Sequence, residues 1–187
     1  MTEEKQDVYI VDLMDTLVWS PNLIKILATD NPELFENFKK DPKKYQKEVA
    51  QKAEAYLLDN RVELRVFEDT IPALERLREQ GRVFVLSNGT RKTIQDILAK
   101  TGLEGYVSGS FSADEIGADK SDERLYKGLS ERLGKDSRLV AYVDDKDKYC
   151  IAASQSGVFG QVCQISRDKE RESQGAYRVI KSLEEIV

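Results

Sequence analysis

Three short apolar runs, each stopped abruptly by a polar cluster, constrain this 187-residue chain more than any other feature of it. Residues 8–11 (VYIV) run into Asp12 and a turn-like string ending at Thr16, residues 83–86 (VFVL) into Ser87-Asn88-Gly89, and residues 139–143 (LVAYV) into Asp144-Asp145. Runs this short, rich in β-branched and aromatic side chains, read as buried strands, and the polar residues mark where each strand ends. Between them lie segments of helical period: 69–80 stopped by Gly81, 92–100 closed by Gly102, 123–133 closed by Gly134, and 148–155 ending at Gly157. Further strands are expected within 106–111 and over 159–165, and an amphipathic helix over 177–186 closes the pattern. Strands that alternate with helices pair in parallel, because each helical crossover returns the chain to the same end of the sheet. The polar clusters then share one edge, and ligands of open parallel sheets bind outside the carboxyl ends of the strands.

One block breaks the alternation. Over residues 21–58 the apolar side chains recur at helical spacing (Leu23, Ile24 and Leu27; Leu34, Phe35 and Phe38; Val49, Ala53, Tyr56 and Leu57). Asn31-Pro32 and Asp41-Pro42 look like helix starts, since proline fits the first helical position behind a capping side chain. Three short helices are expected there. Residues 1–18 and 68–187 are accordingly assigned to a sheet domain and 19–67 to a helical insertion. The chain is long enough for one good core with a modest insertion, and too short for a second catalytic domain.

Composition narrows the chemistry. Histidine is absent, which removes histidine-based serine and cysteine triads and most zinc enzymes. Cys150 and Cys163 fit neither a disulfide framework nor a paired-thiolate zinc site and are expected as buried or free thiols. A net charge of -5 speaks against non-specific nucleic-acid binding. No apolar run approaches the roughly 18 residues of a membrane span, and the start MTEEKQD lacks an apolar leader. The expectation is a cytoplasmic protein, a monomer or homodimer, that engages neither nucleic acid nor membrane.

A single carboxylate at a strand end is commonly a helix cap or a solvated turn. Clusters at three strand ends, with Lys120 in a polar loop ahead of a helix, are not accounted for in that way. The segments VYIVDLMDTLV, VFVLSNGT, GADKSDERLYKGLSERLG and VAYVDDKDKYCIAASQSGV resemble the four ordered motifs of the haloacid dehalogenase superfamily. The insertion falls between the first and second of these, the usual place of a helical cap in that superfamily. The resemblance implies an α/β fold, with a Rossmann-like parallel sheet of about five strands, flanking helices and a small inserted cap. It also implies hydrolase activity through an aspartyl intermediate on Asp12, with Lys120 supplying positive charge to the nucleophile and to substrate oxygens. Thr16, Ser87 and Asn88 are implied as phosphate-binding residues, Thr16 also ordering the turn. A magnesium ion is implied at Asp12, the main-chain carbonyl of Met14 and Asp145, with Asp144 or Asp147 as a further ligand. A small anionic substrate is the implied partner.

The departures from the motifs pull in two directions. Phosphatases of the superfamily place a second aspartate two residues after the nucleophile, as general acid and base; here that position is Met14. Asp15 comes next, where glycine is frequent, and is assigned to the turn. Met14 leans towards the dehalogenases, because halide leaves without a proton. Asp144-Asp145 lean towards a cation site, although Tyr149 stands where phosphatases often carry another acid. Three readings are open: a magnesium-dependent phosphatase or phosphotransferase, a metal-independent 2-haloacid dehalogenase, and a catalytically degenerate phosphate-binding protein. In the insertion, Lys39, Lys40, Lys43, Lys44 and Lys47 read as a solvated face, and Trp19, Tyr45 and Tyr56 as core. Arg61 and Arg65 are the better candidates for gripping an anion.

Overall fold

Strand β1 (Gln6–Val11) is the axis of the fold. Its last four residues alternate between the two faces of a sheet, Val8 and Ile10 into one apolar cluster and Tyr9 and Val11 into the other. All four are buried, so the strand is covered on both faces, as a central parallel strand must be. The computed structural model describes residues 5–167 and 176–186. After β1 come β2 (Val18–Trp19), α1 (Leu23–Asp30), α2 (Pro32–Lys40), α3 (Pro42–Leu57) and β3 (Arg65–Val66). The chain then alternates through α4 (Thr70–Gln80), β4 (Arg82–Ser87), α5 (Arg91–Thr101), β5 (Gly109–Ser112), α6 (Ala113–Ile116), α7 (Glu123–Leu133), β6 (Ser137–Asp144), α8 (Asp147–Ser156), β7 (Gln161–Ile165) and β8 (Arg178–Ile180).

The main sheet has the order β5-β4-β1-β6-β7-β8, and every neighbouring pair in it is parallel. From β1 the chain winds outwards through β4 and β5, then returns to the other side of β1 to lay down β6, β7 and β8. The direction of winding therefore reverses between β1 and β6, and the crevice at such a switch point is where an open sheet binds ligands. Asp12 and Asp144 stand at its two walls. The three helices α1, α2 and α3 lie between β2 and β3, which pair antiparallel through Val18 with Val66 and Trp19 with Arg65. This two-rung ribbon carries the chain out of the sheet and back.

Local chemistry explains most boundaries. Asp41 caps α3 by accepting from the Lys44 N–H at 3.2 Å, as its sequence predicts. Asn31 behaves differently: its side-chain amide donates to the Leu27 carbonyl, closing α1 instead of opening α2. The amide nitrogen is a donor only, and it also donates to the Tyr56 hydroxyl at 3.1 Å, so this side chain joins the end of α1 to α3.

The C-terminal segment corrects an expectation. Residues 177–186 form no amphipathic helix; they give β8 and then one 3-10 turn at Leu183–Glu185. Tyr177, Ile180, Leu183 and Ile186 are all buried, a three-residue spacing that imitates a helical stripe. The β-branched pair Val179-Ile180 favours a strand, and Ser182 with Glu185 forms a capping box that begins a fresh turn. The sheet thereby gains a sixth strand where about five were expected.

Candidate active site

The tight turn at the carboxyl end of β1 assembles the site. The Asp12 N–H donates to the Val143 carbonyl at 2.8 Å, fixing the end of β1 against β6. The chain then doubles back, with the Asp15 N–H on the Val18 carbonyl at 2.6 Å and the Leu17 N–H on the Leu13 carbonyl at 2.9 Å. Asp15 takes a φ of 63°, the one positive φ at a non-glycine among the described residues, and aspartate is one of the few side chains that tolerate it. Its carboxylate is exposed and meets Lys146 Nζ at 3.5 Å. Met14 sits half-buried in the same turn, bridged to Val18. Thr16 Oγ1 returns to donate to Asp12 Oδ2 at 3.2 Å.

Lys120 reaches this turn from the loop before α7. Its Nζ lies 2.5 Å from Asp12 Oδ1, 2.6 Å from Asp144 Oδ2 and 3.4 Å from the Leu86 carbonyl. Asp12, Lys120 and Asp144 retain 6%, 1% and 0% of their exposure. Charges removed from water to this degree persist only where each is paired and further hydrogen-bonded. Asp144 meets that demand: its Oδ2 also accepts from the Tyr142 hydroxyl at 2.5 Å, and its Oδ1 from the Lys146 N–H at 2.8 Å. Tyr126 supports the loop by donating to the Lys120 carbonyl at 2.7 Å.

Asp145 is next on the outer side, half-buried, with its carboxylate 2.5 Å from Lys146 Nζ and its carbonyl accepting from Gln164 Nε2 at 3.0 Å. One oxygen each from Asp12, Asp144 and Asp145 can be chosen so that all three lie within 4.8 Å of one another. The electrostatics reflect this crowding of acids. Burial drives the Asp12 carboxyl up to about 7; Lys120 opposes the rise, and Asp144 and Asp145 add to it. Asp145 is likewise raised by burial to about 6, with Lys146 opposing. Lys120 is held well above the ordinary lysine range: burial alone would lower it, but the two carboxylates beside it outweigh that cost.

The second polar cluster joins through Asn88, whose Oδ1 accepts from the Lys120 N–H at 3.3 Å and whose Nδ2 donates to the Tyr149 hydroxyl at 2.8 Å. Ser87 accepts from the Gly89 N–H at 3.3 Å. Asp12, Thr16, Asn88, Lys120 and Asp144 thus belong to one hydrogen-bonded and ion-paired network, with Asp145 and Ser87 at its rim. Asp147 is drawn away to the Tyr177 hydroxyl.

Tyr149 and Tyr142 are parts that sequence reasoning did not identify as working residues. Tyr149 registered only as a substitution, although it lies in the first turn of α8, directly after the acids. Tyr142 is hidden within a strand pattern and carries no signal of its own. Arg61 is spent on Asp30 and Asp59, both at under 3 Å, and Arg65 pairs with Glu63 while lying over the Trp19 ring. Neither meets the network. The five lysines of the insertion are exposed. Trp19 stacks on Phe67, and with Asp15, Asp145 and Arg167 the two rings line a cavity of about 920 Å³ beside the acids.

A model of the haloacid dehalogenase-like hydrolase family matches residues 5–157. Among curated proteins, the chain is 32% identical over 92 residues to the GMP/IMP nucleotidase YrfG of Escherichia coli, covering 49% of this chain and 41% of that one. It is 30% identical over 112 residues to haloacetate dehalogenase H-2 of a Moraxella species, covering 59% and 49%. The matched stretch thus spans less than half the length of either relative. Among solved structures, a phosphatase of the same superfamily from Thermococcus onnurineus superposes with a TM-score of 0.71 at 20% identity, over 96% of this chain and 95% of that one. Among the described residues no helix is long and apolar enough to cross a membrane.

Proposed function

The chain belongs to the haloacid dehalogenase-like hydrolases, and from that premise we propose that it is a magnesium-dependent phosphatase or phosphotransferase acting on a small anionic metabolite through Asp12. The observation that carries this reading is the surplus of acid at the switch point. Three carboxylates share the site with the buried Lys120 and the half-exposed Lys146, and two of them, Asp12 and Asp145, are still driven up to about 7 and about 6. Carboxyls raised in this way are under-compensated, and a donor set of hard oxygens suits magnesium. Asp12, Asp145 and the Met14 carbonyl would hold the ion, which would supply positive charge for a phosphoryl oxygen. Asp144 has its oxygens engaged by Lys120, Tyr142 and the Lys146 N–H, so its first task is to hold Lys120.

The chain's own residues divide the remaining work. Thr16 and Lys120 fix the two oxygens of Asp12 and favour its ionised, nucleophilic form. Ser87 and Asn88, at the end of β4, would face the transferring group, Asn88 acting through the Lys120 N–H and the Tyr149 hydroxyl that it holds. Residues 19–67 act as a cap that excludes water and restricts the site to small substrates. Met14 carries no proton to give, so substrates whose leaving group departs unprotonated are turned over best.

Met14 also favours a second reading, a 2-haloacid dehalogenase, since halide leaves without a proton. Hydrolysis of 4-nitrophenyl phosphate with magnesium and with chelator, beside halide release from 2-chloropropionate, separates the two. Magnesium-dependent phosphate release that disappears in Asp12→Asn is expected. Halide release unaffected by chelator, with no phosphate release, would overturn the phosphatase reading.

A further inference from the structure

The Lys120 ammonium has three N–H bonds to give. Three oxygens already stand against them: Asp12 Oδ1, Asp144 Oδ2 and the Leu86 carbonyl, at 2.5, 2.6 and 3.4 Å. The nearest two are carboxylates, and the group is 1% exposed. A substrate oxygen would have to displace one of these partners to gain a hydrogen bond from Lys120. Lys120 therefore spends two of its N–H bonds on carboxylates, and a substrate oxygen that takes the third from the distant Leu86 carbonyl leaves the other phosphoryl oxygens in need of further donors.

Tyr149 fits that role. Its ring lies beneath the ammonium, with Lys120 Nζ 4.8 Å from the ring centroid, which places the phenol beside the nucleophile's own counter-ion. Its oxygen accepts from Asn88 Nδ2 at 2.8 Å. A phenol that accepts still has its own O–H to donate, and among the described residues that hydrogen has no acceptor. The residue is half-buried, so the hydroxyl is held in place without being sealed off. Accepting from an amide also polarises the phenol and strengthens it as a donor. We propose that Tyr149 is a substrate-binding residue whose hydroxyl, aimed by Asn88, donates a hydrogen bond to an oxygen of the substrate's phosphoryl group. The proposal rests on the phosphoryl reading of the site.

A double-mutant cycle with inorganic phosphate as the probe tests it, by calorimetric titration of full-length protein in magnesium. Tyr149→Phe keeps the ring under Lys120 and removes only the hydroxyl; Asn88→Ala removes the group that aims it. A hydrogen bond to a charged oxygen corresponds to a loss of about tenfold or more in affinity. The expected result is that Tyr149→Phe weakens phosphate by about that factor while thermal stability stays near the parent's, and that its effect shrinks in the Asn88→Ala background, where nothing aims the hydroxyl. Phosphate affinity unchanged by Tyr149→Phe in a parent that binds it would overturn the role of Tyr149 alone. An undiminished effect in the Asn88→Ala background would also overturn it as stated, because the hydroxyl would then need no aiming by Asn88. A parent that binds no phosphate would bring down this proposal together with the phosphoryl reading, and 4-nitrophenyl phosphate turnover by the same preparation tells the two failures apart.

Discussion

Asp12 is paired with Lys120 and yet harder to ionise than a free carboxyl, because burial and two neighbouring acids outweigh one ammonium. The consequence for stability has a definite sign. A carboxyl raised from 3.8 to about 7 on folding lets the folded chain hold its proton more tightly than the unfolded one. The stability this confers is complete below the unfolded value and is lost as pH rises towards 7. Asparagine does not titrate. In chelator, Asp12→Asn should therefore gain about 1–3 kcal/mol on the parent between pH 4.5 and pH 8, measured by denaturant unfolding across that range. A difference that does not change with pH, or one of opposite sign, would show that the acids are fully compensated without a metal. The same crowding explains which site residues the sequence displayed. Asp12 and Asn88 follow the apolar runs of β1 and β4, where a polar side chain is conspicuous, whereas Thr16 and Lys120 lie in turns and were legible only through the motifs that contain them. Asp144 is equally visible, but not its engagement with Lys120 and Tyr142, since that depends on which oxygens meet in space.

At the scale of elements, the joint between α4 and β4 shows a residue read correctly for an incomplete reason. Gly81 stops the helix as the sequence suggests, but its φ of -179° is extended backbone open to any residue. Glycine is required there by the neighbour: a Cβ would lie 2.3 Å from the Asp7 carbonyl oxygen and 2.8 Å from its carbon. Main-chain atoms of the central strand cannot swing aside. Gly81→Ala should cost about 2 kcal/mol or more, seen as a lowered midpoint in urea with an unchanged slope; a cost below about 0.5 kcal/mol would mean that β1 shifts freely at that point. The elements themselves were legible wherever one periodicity dominated, as in β1, β4, β6, α5 and α7. They were not where two periodicities coincide, as at Tyr177, Ile180 and Leu183, or where a strand is two residues long, as in the ribbon of β2 and β3. Such strands are defined by their partner and carry almost no pattern of their own.

At the scale of the whole molecule, α3 is tied to the start of α5. Glu54 of α3 accepts from the Thr90 N–H at 2.7 Å and the Thr93 hydroxyl at 2.9 Å, at the start of the helix next to Ser87-Asn88-Gly89. Elsewhere, Arg167 pairs with Asp69 at 2.7 Å, donates to the Thr16 carbonyl and covers Phe67, fixing the return of the ribbon to the sheet domain. Glu54 therefore holds α3 against the start of α5, next to the Ser87-Asn88-Gly89 cluster. Fold alone does not select among the reactions such a site supports; the identity of the atom that accepts the transferred group does. The direct measurement is to mix the protein with 4-nitrophenyl phosphate and magnesium, quench in acid within one turnover, and map the peptides by mass spectrometry. One phosphoryl group on the peptide containing Asp12, absent from Asp12→Asn, is the predicted result. Turnover that proceeds with no phosphoryl group on that peptide, or with one on another residue, would contradict Asp12 as the nucleophile.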